Sequence, residues 1–451
     1  MTYFFETYGC QMNQAESSSM EQLLISKGWT ASAGAEHCDL LIINTCSVRI
    51  TAETRVLGRL GHFSGLKKKR KFFVLLIGCM AERLYAEIQK DFPLIDYVVG
   101  MFERDLLPRI FDEIKNRLSD GSYLTEFTDS AEKPAAGYYF APVSHSPGAF
   151  QSYVPIMNGC NNFCTYCIVP YIRGREVSRP VESILDEVRF LSGKNVREIT
   201  LLGQNVNSYH GVDPSTGTAV SFPSLLRAVS AACAEHDIIQ WIRFISSHPK
   251  DLSDELIEVM AEDPRVCKSL HLPVQNGSDE ILARMNRCYT VEQYLSIVEK
   301  LRKRIPNIVL TTDILIGFPG ETQTEFEKTL DLMRTVQFDS AFMYHYNPRE
   351  GTKAYDFPDR IPDAERINRL QQVIDLQQHI TDLKMQQRVG SIVMMLVESQ
   401  SRNNPDELFG HTEQGEMAVL AEKCDPKHIG HFMKVQLQSI KGKTFRAIPV
   451  V

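Results

Sequence analysis

Apolar and polar positions divide the chain into three regions of different period. In the first third one unit recurs three times: an apolar run, a cysteine just after it, then a helical pattern. The runs are "TYFFETYG" ending at Cys10, "DLLIINT" ending at Cys46 and "KFFVLLIG" ending at Cys79. Alternating strands and helices predict a Rossmann-like parallel α/β domain over residues 1–119, and in such sheets the carboxyl ends of all strands share one edge. Three cysteines distant in sequence therefore converge on that edge. A lone cysteine there would read as a buried core thiol; three at equivalent positions of a repeat read as a ligand set.

Residues 120–150 turn to Pro, Gly, Ser and aromatics without a period, which predicts a linker. Beyond it, over 151–378, the runs "YVPIMNG", "EITLLGQNV", "WIRFISSHP", "SLHLPVQNG", "VLTTDILIGFPG" and "FDSAFMYHY" each precede a helical pattern. Six βα units predict a barrel, incomplete relative to eight, whose chemistry belongs at the strands' carboxyl ends. Polar residues gather there: Gln204 and Asn205, Ser246 to His248, Gln275 and Asn276, and Gly317. Singly, each also suits a helix cap. After a long polar helix, residues 381–451 give five short alternating runs, the pattern of a small β-barrel that either holds single-stranded nucleic acid or caps its neighbour.

Composition narrows this picture. The chain has 451 residues, 43% of them hydrophobic, enough for about three domains at roughly 150 residues each. No apolar run reaches the roughly 18 residues of a membrane span, and the opening "MTYFFETYGCQMN" lacks signal-peptide features, so a cytoplasmic protein with no membrane partner is expected. In a reducing compartment, 11 cysteines are metal ligands sooner than disulfides. A net charge of -7 excludes a generally basic nucleic-acid binder and leaves room for local patches, such as "KKKRK" from Lys67 to Lys71, which also suits a solvated loop.

The densest chemistry lies in "CNNFCTYCIVPY", where Cys160, Cys164 and Cys167 are spaced C-x3-C-x2-C. Structural zinc closes its shell with four ligands, commonly two pairs, and no second pair follows. Three thiolates on a four-iron cluster leave one iron for a non-protein ligand. That spacing, with Tyr166 before the last cysteine and the first barrel strand ahead of it, resembles the radical S-adenosylmethionine (SAM) enzymes. In that family the open iron chelates SAM, and an electron cleaves it to methionine and a 5'-deoxyadenosyl radical.

Taken with "YGCQMNQAES", "INTCSVR", "IGCMAER", "NGCNNFCTYCIVPYIRGREVSR" and "LLGQNVNSY", the resemblance narrows to the MiaB-type tRNA methylthiotransferases and covers essentially the whole chain. It implies a methylthiotransferase N-terminal domain, a partial (βα)6 radical SAM barrel and a C-terminal TRAM barrel. It implies two 4Fe-4S clusters, an auxiliary one on Cys10, Cys46 and Cys79 and a SAM-cleaving one on Cys160, Cys164 and Cys167. SAM then serves as methyl donor and radical source, with Tyr166, Gln204, Asn205 and Gln275 as candidate contacts. The implied reaction places a methylthio group on C2 of isopentenyladenosine at position 37 of tRNA, with a flavodoxin or ferredoxin as electron donor and a monomeric enzyme. Candidate contacts to the anticodon stem-loop are Lys67, Lys68, Lys69 and Arg70, then Arg173, Arg175 and Arg179, and near the end Lys441, Lys443 and Arg446. Two departures stand out: "QAES" replaces an acidic "DSE"-like run, and "LVESQSRNNPDELFGHTE" lacks the glycines and "GRT" frequent in TRAM segments. Enzymes of the same architecture that modify threonylcarbamoyladenosine in tRNA or an aspartate of a ribosomal protein are the nearest rivals, and a non-catalytic metal-containing RNA-binding protein is the rival of another class.

Overall fold

A computed structural model describes residues 1–47, 50–122, 140, 143, 145–146, 148–213, 216–420 and 425–450. The predicted linker lies largely outside the described residues. Two compact units form, Met1–Asn161 with Ile168–Glu187, and Asn162–Cys167 with Val188–Val451.

The first unit is built on a parallel sheet of β1 (Thr2–Thr7), β2 (Thr30–Ala31), β3 (Leu40–Thr45), β4 (Phe73–Gly78) and β5 (Tyr97–Val99), in the order β2-β1-β3-β4-β5. The three predicted strands are present; β2 and β5, of two and three residues, are too short to leave a periodic signal. Side chains of β3 and β4 are buried along their whole length because both faces are covered, which is why these strands read as unbroken apolar runs. The strand period of two sorts them: Leu40, Ile42, Phe73 and Leu75 join α1 (Gln11–Ser26) and a later helix through Leu24 and Phe111, while Leu41, Ile43, Val74 and Leu76 meet Val56, Leu60 and Phe63 of α2 (Ile50–Lys67). Each such side chain, fully buried, contributes about 1.5–3 kcal/mol. Helices α3 (Cys79–Arg83), α4 (Tyr85–Asp91) and α5 (Leu107–Asp120) complete this part; β6 (Gln151–Pro155), the first strand expected of the central barrel, packs on α1, and α6 (Val169–Arg173) packs on α3.

The second unit carries the other five expected barrel strands: β7 (Glu198–Leu202), β8 (Trp241–Phe244), β9 (Ser269–His271), β10 (Val309–Ile316) and β11 (Ser340–His345). Their described pairings, β7 with β8 and β9 with β10 and β11, are all parallel. The long helix α7 (Asp363–Arg388) then leads to a closed barrel of β12 (Ile392–Gln400), β13 (Leu408–Thr412), β14 (Met417–Leu420), β15 (Phe432–Lys441) and β16 (Thr444–Pro449), ordered β12-β13-β14-β16-β15 around Val397, Leu437 and Phe445. All five runs of the sequence pattern are strands here.

This small barrel seats against the amino ends of β7, β8 and β9. Trp241 opens β8, and its ring meets Phe432 at 4.7 Å and His411 at 5.4 Å. Arg197 donates to the Gly430 carbonyl at 3.0 Å, and Arg243 donates to the carbonyls of Thr412 at 3.1 Å and Glu413 at 2.7 Å. The carboxyl ends of the same strands, where chemistry is expected, are left to other groups. None of the described helices is long and apolar enough to cross a membrane.

Candidate metal and cofactor site

Cys10, Cys46 and Cys79 sit where the sequence pattern predicts, just beyond the carboxyl ends of β1, β3 and β4. Register aligns those ends: Thr7 pairs with Asn44 and Thr45 with Gly78. Two glycines let the turns approach. Gly9 has φ +129° and an added Cβ would lie 2.6 Å from that of Cys46; Gly78 has φ +98°, and a Cβ there would lie 2.4 Å from the Thr45 carbonyl oxygen. The Thr45 hydroxyl accepts from the amides of Met80 at 3.2 Å and Ala81 at 3.3 Å, fastening β3 to the start of α3.

Beneath the cysteines lies a buried amide pair. Asn13 donates to Asn44 Oδ1 and to the Thr45 carbonyl, both at 3.0 Å, and accepts from the Cys10 thiol at 3.2 Å; Asn44 donates to the Asn13 carbonyl at 2.9 Å. Cys10 is the N-cap of α1 and Cys79 the first residue of α3, so backbone N–H groups face the place where negative charge would gather. Burial pushes the Cys79 thiol up, and the Arg173 guanidinium pulls it back. Among the described residues no three His, Cys, Asp or Glu side chains close on a single ion. Three thiols at neighbouring strand ends, two of them at helix N-termini, suit an anionic thiolate-ligated cluster with an open valence better than a four-ligand zinc shell.

The second cysteine set spans the boundary of the two units in sequence. In the first, the Cys160 amide donates to the Gly174 carbonyl at 3.1 Å. In the second, the Cys167 amide donates to the Cys164 carbonyl at 2.9 Å, and Thr165 is fixed by its amide to the Met285 carbonyl and its hydroxyl to the Arg284 carbonyl. Asn286 donates to the carbonyls of Asn162 at 3.0 Å and Phe163 at 3.2 Å, holding the turn in which Phe163 takes φ +46°. The Arg287 guanidinium, 5% exposed, reaches Cys164 Sγ at 3.5 Å. Tyr166 packs edge-on against Phe318.

At the carboxyl ends of β7 and β8 the second unit holds buried polar atoms without hydrogen-bond partners: Gln204 Oε1, Asn205 Oδ1, both amide atoms of Asn207, Ser247 Oγ and His248 Nε2. Leaving such atoms unpaired costs about 1–3 kcal/mol each, so their concentration here marks a ligand's place. Asn205 is oriented by its Nδ2, which donates to Asp251 at 2.7 Å. The His248 imidazole is pushed down to about 2 by burial and by Arg287 and Lys250; its Nδ1 accepts from the Lys250 amide, which leaves Nε2–H as a donor aimed at no protein group. Gln275, at φ +71°, supplies backbone bridges to Asp313 and Leu315. Asn276 and the Gly317 amide instead bind the Glu321 carboxylate, which Arg369 also holds at 3.0 Å.

Three family patterns match in chain order: the uncharacterized protein family UPF0004 over residues 2–100, the radical SAM superfamily over 154–333 and the TRAM domain over 386–450. The tRNA-2-methylthio-N(6)-dimethylallyladenosine synthase of Treponema denticola is 68% identical over 99% of both chains, and that of Clostridium botulinum strain Okra is 39% identical over 98% of this chain and 95% of its own. The chain belongs to the tRNA-2-methylthio-N(6)-dimethylallyladenosine synthase family. Members of the radical SAM superfamily carry a 4Fe-4S cluster and SAM, and the thiols and orphaned polar atoms above fit both groups. A radical SAM methyltransferase, TsrM from Kitasatospora setae, shares the fold at 13% identity, with a TM-score of 0.58 over 78% of this chain and 77% of its own.

Among the RNA candidates of this synthase-family chain, several cations are already engaged. Lys67 is 13% exposed and paired with Asp96; Arg70 donates to the carbonyls of Glu36 and Cys38. Arg173 is buried against Glu16, and Arg179 against Glu187. Lys68, Lys69, Lys441 and Lys443 are exposed, while Arg446 pairs with Glu407 at 2.6 Å. Asn207, Arg287, Glu321 and Arg369 are not singled out by spacing; buried partners visible only in three dimensions give Arg287, Glu321 and Arg369 their roles, and burial without a partner marks Asn207.

Proposed function

We propose that this chain is a radical SAM tRNA methylthiotransferase that installs a methylthio group on C2 of isopentenyladenosine at position 37, with one four-iron cluster on Cys10, Cys46 and Cys79 and another on Cys160, Cys164 and Cys167. The observation that carries the reading is the convergence of three cysteines, at three equivalent strand ends of one parallel sheet, in a chain that also holds a C-x3-C-x2-C loop. Bound there, the clusters and SAM supply the radical and sulfur chemistry that replacement of an aromatic C–H requires and no side chain offers.

The chain's own residues bind and orient. Asn13 and Asn44 fix the turns bearing Cys10 and Cys46; Asn286 and Arg287 hold the loop of Cys164 and Cys167. His248 Nε2–H offers a donor, Gln204 and Asn205 offer carbonyl acceptors and Asn207 offers both, a complement to the amino, carboxylate and ribose groups of SAM. Gln275 and Tyr166 flank that end of the barrel in our reading. The substrate is an anticodon stem-loop, the electron donor a small flavodoxin or ferredoxin, the compartment the cytoplasm and the working form a monomer.

Nucleoside analysis of tRNA from cells lacking the protein tests this. Loss of the methylthio mark with accumulation of isopentenyladenosine is expected. Intact methylthio-isopentenyladenosine would refute it, with loss of the mark on threonylcarbamoyladenosine or on a protein aspartate pointing to the other branches of the architecture.

A further inference from the structure

Arg287 is a buried cation whose guanidinium meets no carboxylate among the described residues. Its Nε donates to the Tyr289 hydroxyl at 3.1 Å, its Nη2 to the Pro273 carbonyl at 2.8 Å, and its Nη1 to Cys164 Sγ at 3.5 Å. Tyr289 donates in turn to the Val274 carbonyl at 2.7 Å, so the guanidinium is fixed to the backbone just beyond β9. The backbone around it is also constrained: Asn286 at φ +59° and Cys288 at φ +55° flank Arg287 in the left-handed region, which side-chain-bearing residues hold only where their surroundings impose it. Other little-exposed arginines of this unit are matched by acids, Arg243 by Glu198 at 2.9 Å and Arg369 by Glu321 at 3.0 Å. A buried charge without a counter-charge is unfavourable. Of the three partners of Arg287, a phenol, a carbonyl and a cysteine sulfur, the sulfur is the one that becomes an anion on ligating a metal. A thiol is a weak acceptor, whereas a thiolate makes a charge-assisted bond about twice as strong as a neutral one.

We propose that Arg287 is a positioning residue that acts through Cys164 as the buried counter-cation of the SAM-type cluster, raising its reduction potential by the N–H···S contact. This rests on the cluster reading above. Iron–sulfur potentials follow net charge and hydrogen bonding to sulfur, and a charge in a water-poor site is felt far more strongly than at the surface. A cation beside Cys164 favours the reduced, more negative cluster. Asn286, by contrast, holds the same loop through two carbonyls and brings no charge.

Neighbouring residues with and without charge allow the two roles to be separated in the full chain. In a Cys10→Ala/Cys46→Ala/Cys79→Ala background only the SAM-type cluster remains, and after anaerobic reconstitution its one-electron couple can be titrated with dithionite and followed by EPR. Arg287→Gln should lower the potential by at least a tenfold change in the reduced-to-oxidised ratio, about 59 mV. Arg287→Lys keeps the charge but loses the planar fork, and should lie between that variant and the parent. Asn286→Ala loosens the loop without altering charge, so it should cost iron occupancy and leave the potential of the remaining clusters at the parent value. Should Arg287→Gln fail to retain iron, the downward shift in Arg287→Lys decides alone. Iron-loaded Arg287 variants that titrate with the parent, or loss of iron from both of them, would reduce Arg287 to a loop anchor and overturn the proposal while leaving the cluster reading intact; a parent background without iron would overturn both.

Discussion

The contact between the terminal barrel and the strand ends it covers should weaken as pH rises through the range of His411. Its ring is 7% exposed and lies between two carboxylates, Nε2 at 2.9 Å from Glu198 and Nδ1 against Glu398, so both nitrogens act as donors and the ring is charged. Burial lowers its pKa, but the bonds to Glu198 and Glu398 outweigh that and raise it from 6.5 to about 9; nearby Arg243 opposes them. With the folded value above the unfolded one, the folded state holds the extra proton between them. The resulting stabilisation is full below about 6.5 and is lost as pH rises through about 9. The difference, 9 − 6.5 at about 1.36 kcal/mol per pH unit, amounts to roughly 3 kcal/mol, or about three hundredfold in the opening equilibrium. Native-state hydrogen exchange of β13 amides, corrected for intrinsic rates, should show that loss of protection between pH 6.5 and 9. His411→Gln should start from the weakened level and stay nearly flat. Parallel pH profiles for the two proteins would refute the argument.

Separate removal of the two cysteine sets should divide the chemistry: each triple Ala variant keeps about half of the iron of a two-cluster protein, with SAM cleavage lost from the Cys160 set and retained, without methylthio product, in the Cys10 set, as measured by iron content and chromatography. Replacing Lys441 and Lys443 by Gln should flatten the dependence of log affinity for an anticodon stem-loop on log salt by about two if each meets a phosphate, and an unchanged slope in a filter-binding series would assign the small barrel a covering role. Gly78→Ala should destabilise the first unit by at least about 2 kcal/mol and cost auxiliary iron, because a Cβ must both adopt φ +98° and displace the Thr45 carbonyl from 2.4 Å; a wild-type melting curve would contradict this.

The longer strands of all three regions and the six candidate cysteines are legible in the chain because both signals are local. Period two, unbroken apolar runs and glycine turns come from each segment's own burial, and a cysteine just past such a run must fall on the common edge of a parallel sheet. The barrel candidates Gln204 and Asn205 are legible for the same reason, as polar residues where a strand ends. What a charged side chain does is not local, since its energy depends on which opposite charge or carbonyl lies within a few ångströms and on how much water remains. Lys67 and Arg173 look like RNA contacts in their basic surroundings, yet Asp96 lies 29 positions from one and Glu16 157 from the other; Arg173 is buried and Lys67 is partly buried in its ion pair. Arg287 stands in no motif but reaches Cys164 across 123 residues, and His411 becomes a charged link only because β13 comes to rest beside Glu198, 213 positions earlier. The sequence by itself determined the elements, the sheet edge and the donor set; tertiary structure alone decided which cations are free to meet a ligand, because that depends on partners the chain brings together from far apart.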